Sequence, residues 1–435
     1  LGYAYLFGLF TTVTFMLGGL FLVLIQFMTA SHWGVSSRRI VEVIMSGAPV
    51  VALLALPFIG GVVFGKIDIY NEWQSAAAHG EHGDHADSDS DSESDDDSDS
   101  HDPEEHGLIQ LGASVAQAQD HGDEHGDHGD AAEHDEGHAH TPQETALHHD
   151  IVAQKTGYLN TNGWAARALG YLILWSLLAL AYFGWSRRQD ESKDPKLTLR
   201  MQSLAPISLI LFGLSLTFAA FDWLMSLEAA WFSTIFGVII FAGSAVTILA
   251  TTILIGLSFY KRGLTGDAIT PVHFHDLSKL MFGFVCFWTY VSFSQWMLIW
   301  YAGIPEEATW YHRRWADGWQ FVAYLLIFGH FVAPFLLLIS RVQKLNLRWL
   351  QVMCFWLILM HVVDIYWFVM PQAGGFVVQP ADIGALLFVG GVFFAYVFWR
   401  LGKVPLVPIG DPRLPRSLHH HQTPVSYTHL TLPTM

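Results

Sequence analysis

Charge is scarce in this chain. Of its 435 residues only 14% are Asp, Glu, Lys or Arg, while 52% are apolar, roughly half the charged share of an ordinary soluble domain. With 17 Trp and 31 Phe among so few charges, a disordered chain is excluded and a soluble enzyme disfavoured, which leaves a polytopic membrane protein. Cysteine is almost missing as well. Cys286 and Cys354 both lie inside apolar runs, so neither a disulfide framework nor a thiolate metal site is expected. Between residues 79 and 149 there is no Lys or Arg at all, against 14 Asp, 8 Glu and 13 His; elsewhere 17 acids face 22 bases. The formal charge of -17 therefore belongs to one segment, and no basic stripe points to nucleic acid as a partner.

Nine apolar runs, near 3–29, 40–64, 164–185, 203–225, 233–259, 277–301, 317–340, 348–370 and 382–399, are each long enough to cross ~30 Å of hydrocarbon. They predict an all-α polytopic membrane fold of nine helices. The first run is too long for a signal-peptide core and has no basic leader. Pro49, Pro57 and Pro334 fall inside runs, where neighbouring helices accommodate kinks. The connections at 30–39, 186–202, 260–276, 341–348 and 400–416 carry sixteen Lys and Arg; those at 65–163, 226–232, 302–316 and 371–381 carry four. This asymmetry places the first set, and the C-terminus, in the cytoplasm. Leu1 is then external, and one further helix is expected ahead of it. The final SYTHLTLPTM continues no earlier pattern and is set aside.

Residues 65–163 are accordingly an external loop. Its acidic, low-complexity core has too little apolar surface to fold alone. It reads either as a solvated loop or as a weak metal buffer using His79, His82, His85, His121, His125 and His128, since no fixed ligand spacing is visible.

A weak repeat divides the remainder. Asn162-Gly163-Trp164 opens the third helix and Asp317-Gly318-Trp319 the seventh; the next helix in each case has an outer-half Asp, Asp222 or Asp364. Four helices apart, these matches suggest two four-helix bundles with a peripheral helix. The expected units are 1–64 (helices one and two), 65–163 (loop), 164–225 (helices three and four), 226–371 (second bundle), 372–400 (ninth helix) and 401–435 (tail).

Ionisable groups within spans are costly and become functional candidates. Arg167 and Asp222 lie at similar depth, either as a structural ion pair or as part of ligand or proton handling. Glu228 sits in the outer turn SLEAAW, where a plain exposed acid is the simplest reading. His361 and Asp364 share one face of helix eight near mid-span, and His330 lies mid-way along helix seven. Such histidines suit a proton relay or a quinol-facing role, with a satisfied structural hydrogen bond as the bland alternative. His275, Asp276 and Lys279 open helix six, and Glu42 lies beside Arg38 and Arg39; both read as proton entrances or interfacial charge clusters. Gln295 is one of several polar residues in the outer half of helix six. A divalent-metal transporter is the alternative that the histidine-rich loop motivates, and a b-type cytochrome would need His330 and His361 as opposed axial ligands.

Several stretches carry a family resemblance: LVLIQFMTASHWGVSSRRIVE (23–42), GYLN and RALGYLILW (157–175), FAAFDWLMSLEAAWFSTIFGVIIFAGS (218–244), HFHDLSKLMFGFVCFWTYVSFSQWMLIWYAGIPEE (273–307) and HVVDIYWFVMP (361–371). They resemble the smaller of the two homologous quinone-binding membrane subunits of alternative complex III, the quinol:cytochrome c (or high-potential iron protein) oxidoreductase. These are relatives of NrfD-type polysulfide-reductase anchors. The resemblance implies ten helices and a bacterial inner membrane, with the 65–163 loop periplasmic. It implies quinol or quinone as the ligand, bound here or on the larger homologous subunit, and no haem or iron-sulfur in this chain. It also implies a periplasmic iron-sulfur protein and multihaem cytochrome c subunits as partners, beside membrane lipids. Asp222, His361, Asp364 and His330 would then serve a pocket or proton path, with Arg167, Glu228 and Gln295 as candidate pocket residues.

Overall fold

A computed structural model describes residues 1–76 and 150–420. Among the described residues the protein is helical with no strand, and nine helical segments are long and apolar enough to cross a membrane. It is a multi-pass α-helical membrane protein. The first span is α1 (Gly2–Met28). The second is broken into α2 (Val35–Met45) and α3 (Ala48–Val63). The break falls where Pro49 must occupy a first turn, because proline has no N–H to continue a helix. Then follow α4 (Thr161–Ser192), α5 (Pro195–Trp223), α6 (Phe236–Lys261) and α7 (Pro271–Ala302).

A short α8 (Pro305–Arg314) crosses one end. The seventh span is α9 (Trp319–Leu325), a π-helical segment at Leu326–Val332, and α10 (Ala333–Leu338). Its wide turn has a local cause. Pro334 cannot donate to the carbonyl four residues back, that of His330, and widening the winding accommodates the ring. A short α11 (Arg341–Leu345) leads to α12 (Leu347–Val369), α13 (Pro380–Leu401) and the small α14 (Leu414–Leu418).

The packing closes two four-helix rings. Helix α1 meets α2, α3 meets α4, α4 meets α5, and α5 returns to α1; likewise α6, α7, the seventh span and α12 close on one another. Helix α13 lies outside both, against α1. Helix α1 also packs on α6 and α12 and so sits between the rings. Protein covers 94% of the most apolar stretch of α1 and 83% of that of α6, but only 22% for α7 and for α13. Close approach at the centre depends on small residues: a Cβ on Gly18 of α1 would overlap the carbonyl oxygen of Ser244 in α6.

Candidate functional site: buried titratable groups at three depths

The central cluster lies where the second ring meets α1. His361 and Asp364 project from one face of α12, as their three-residue spacing requires. His361 Nε2 lies 2.9 Å from Thr14 Oγ1 of α1. The indole Nε1 of Trp288, from α7, donates to Asp364 Oδ2 at 3.0 Å. His330 stacks on the face of that indole with ring centroids 4.0 Å apart and planes at 27°. The widened turn carries His330, and Trp356 Nε1 donates to the neighbouring Gly329 carbonyl at 2.7 Å. All three titratable side chains are buried, and neither ring nitrogen of His330 nor Nδ1 of His361 has a hydrogen-bond partner among the described residues. Three spans thus bring His330 and Asp364 against one indole, with His361 on the Asp364 face of α12, in a low-dielectric interior where charges and unpaired polar groups are costly.

Towards the end away from the Lys/Arg-rich connections, Arg167 of α4 grips Asp222 of α5 with two bonds of 2.9 Å. Tyr171 donates to the same carboxylate at 2.8 Å, and Trp164 Nε1 donates to the Asp222 carbonyl at 2.7 Å. The Arg167 guanidinium lies 3.8 Å from the centroid of the Tyr158 ring. The pair joins two helices of the first ring, with every strong acceptor of Asp222 engaged.

Glu228 departs from the expectation of an exposed loop acid. It is 4% exposed and lies 3.4 Å from both Arg313 and Arg314. Arg314 is fully enclosed, stacks on Trp310 at 3.1 Å and donates to the carbonyls of Trp310, Trp367 and Phe368. Burial pushes its guanidinium down to about 9, with Glu228 acting in the opposite sense, so it remains charged at neutral pH. The reason is tertiary packing: the turn after α5 is roofed by α8, which an isolated hydropathy profile does not show. Gln295 accepts from Ser233 at 2.8 Å and donates to Tyr311 at 3.1 Å. Among the described residues no hydrogen bond or ion pair links Arg167, Glu228 and Gln295 to one another.

At the same end a cavity of about 280 Å³ is lined by Trp319, Tyr366, Met370, Ala373, Gly375, Val377 and Gln379. Tyr366 donates to the buried Asp382 at 3.0 Å. A largely apolar groove of about 460 Å³ runs between α5 and α6, floored by Phe21.

The Lys/Arg-rich end holds an enclosed ionic network. Glu42, read as a proton entrance or as part of an interfacial charge cluster, does cluster with Arg38 and Arg39, and all three side chains are fully buried. Arg38 reaches Glu42 at 2.8 Å and Asp411 at 2.6 Å, and Arg39 reaches Glu42 at 3.1 Å and Asp190 at 2.5 Å. Ser186 donates to both Glu42 oxygens. The segment after α13 covers this network, pinned by Asp190 to Gly410 N at 3.2 Å, Ser36 to Ser417 at 2.7 Å and His273 to the Ser417 carbonyl at 3.2 Å. Asp276 binds Lys279 at 2.6 Å and His420 at 2.7 Å, with His275 4.0 Å away.

The histidines His79, His82, His85, His121, His125 and His128 lie outside the described residues. Among the described residues no three His, Cys, Asp or Glu side chains are grouped to hold a metal ion. Sequence reasoning missed Thr14, Trp288, Arg314 and Asp382. A lone Thr or Trp in an apolar run carries no periodic signal, and only the folded arrangement of α1, α7 and α12 makes these residues neighbours. Compared with known proteins, the chain matches no family model and no curated protein.

Proposed function

We propose that this protein is a membrane subunit of a respiratory quinol:cytochrome c (or high-potential iron protein) oxidoreductase, of the kind that the sequence resembles. Its part is to handle protons, and to line a pocket for quinol alone or with a larger homologous subunit. The observation that carries this reading is the buried central group in which His330 and Asp364 contact Trp288 and His361 shares the Asp364 face of α12. Oxidising a quinol releases two electrons and two protons, so the protein must supply proton acceptors within an apolar interior. The imidazoles have unpartnered nitrogens available for that task, and the groove beside Phe21 suits an isoprenoid tail. The electrons would pass to a periplasmic iron-sulfur protein and multihaem cytochrome c subunits. In this reading the chain spans a bacterial inner membrane, the Lys/Arg-rich end is cytoplasmic and the 65–163 connection is periplasmic.

The test is purification from the native membrane in mild detergent, with quinol-driven cytochrome c reduction as the assay. Haem-c and iron-sulfur partners are expected to co-purify, and Asp364→Asn is expected to slow turnover roughly 10²-fold, the usual range for loss of one acid-base group. Wild-type turnover in assembled Asp364→Asn and His361→Gln proteins would overturn the assignment. So would a solitary oligomer that binds zinc and reduces no acceptor, which is the behaviour of a transporter.

A further inference from the structure

We infer that Thr14 of α1 is the positioning residue of the buried histidine: it holds His361 as the Nε2–H tautomer and leaves the Nδ1 lone pair to receive a proton on the side of Gly243 and Asp364. The argument is one of donor inventory. The Thr14 hydroxyl has a single hydrogen, and its oxygen lies 2.6 Å from the Thr11 carbonyl, which can only accept. That hydrogen is therefore committed within α1. The same oxygen lies 2.9 Å from His361 Nε2, so the imidazole must be the donor in this contact; the opposite assignment would set two lone-pair oxygens against each other. In a neutral imidazole one nitrogen donates and the other accepts, so Nδ1 carries the free lone pair.

That nitrogen has no hydrogen-bond partner among the described residues although the ring is fully buried. Its surroundings are defined by Gly243 of α6. A Cβ at this position would stand 2.9 Å from His361 Nδ1 and 3.7 Å from Asp364 Oδ2, so both polar atoms border the space that a side chain would take. Asp364 Oδ2 is itself held by the Trp288 indole. Protonation at Nδ1 would form an imidazolium whose new N–H lies at the ring edge bordering Gly243, with the Thr14 bond unchanged. The chemical use of the nitrogen rests on the function proposed above; its tautomer does not.

The experiment is nitrogen-15 NMR of the full-length protein, histidine-labelled and reconstituted in lipid, with His361→Gln used to identify the resonances. Wild type is expected to show His361 with a protonated Nε2 and an unprotonated Nδ1. Thr14→Ser is expected to keep that pattern, and Thr14→Val to lose it to a mixture of tautomers. In the quinol assay Thr14→Val is expected to be roughly tenfold slower, the loss of one ordinary hydrogen bond, with Thr14→Ser restoring the rate. An Nδ1–H tautomer in the wild type, or an unchanged spectrum in Thr14→Val, overturns the inference. If Thr14→Val does not fold, Gly243→Ala replaces it: a moved Nδ1 resonance with Nε2 still protonated supports the placement, and an unmoved one overturns it. A correct tautomer in a protein that oxidises no quinol would leave this inference standing and defeat only the functional reading.

Discussion

Arg167 and Asp222 show what a paired charge does at the scale of single residues. Their separation of 55 positions gives no local signal, yet similar depth in consecutive spans made them natural partners, and the two-pronged geometry with Tyr171 realises that pairing. Asp222→Asn is expected to leave Arg167 half-satisfied beside lipid, at a cost of about 1–3 kcal/mol, because the guanidinium keeps some access to the surface and to the Tyr158 ring. Thermal unfolding in detergent checks this, and Arg167→Gln in the same background should restore part of the loss. Glu228 and Arg314 teach the opposite lesson. Nothing local to SLEAAW indicates that its acid is roofed by α8, so the sequence alone does not reveal the buried pair.

Among elements, α1 is the one whose role hydropathy hides. Its unbroken apolar run makes it a span, but lipid tails are as apolar as leucine, so the run cannot say whether neighbours are protein or lipid. Its glycines and threonines are what permit a central place: Gly18 admits the α6 backbone, and Thr11, Thr12 and Thr14 satisfy their hydroxyls on carbonyls of their own helix. Gly18→Val is expected to force α1 and α6 apart and cost about 1–3 kcal/mol; a lowered unfolding temperature, with fewer properly folded molecules eluting on gel filtration, checks it. A valine at Gly213 of α5, where a Cβ would meet nothing, is the control expected to be neutral. In the sequence Pro334 signals only a kink; the seventh span absorbs the proline by rewinding into a π-helical turn, and the turn carries His330 to its place on the Trp288 ring.

For the whole molecule, the buried network beneath the segment after α13 ties distant parts of the chain together, joining α2, α4 and residues 410–417. Burial alone would raise the Asp411 carboxyl, but the Arg38 guanidinium, with Arg413, outweighs it and holds the group well below the usual carboxylate range. A carboxylate depressed in the folded state contributes stability above its unfolded value of about 3.9 and loses it as the pH falls towards the lower folded value. The contribution of Asp411 to holding the segment is therefore expected to be insensitive to pH from neutral down to about 4 and to be lost only in stronger acid. Asp411→Asn is expected to loosen it already at neutral pH, by about 1–3 kcal/mol, since Glu42 still holds Arg38. Limited proteolysis at 402–420, compared between pH values and between the two proteins, reads both outcomes.

Hydropathy and the spacing of charges along the chain were enough to establish nine spans among the described residues, their approximate limits and an all-helical class, because transfer into hydrocarbon is a property of composition along the chain. They also singled out His330, His361 and Asp364, because an ionisable group in a span is conspicuous against its background. Which side chains meet was left to packing. Thr14, Trp288 and Gly243 surround those groups only once α1, α7, α6 and α12 are brought together, and Glu42 became an enclosed ion-pair partner only when the chain folded back over it. Contacts between helices depend on the faces they turn to one another, and in a lipid solvent apolar content is nearly indifferent to that choice.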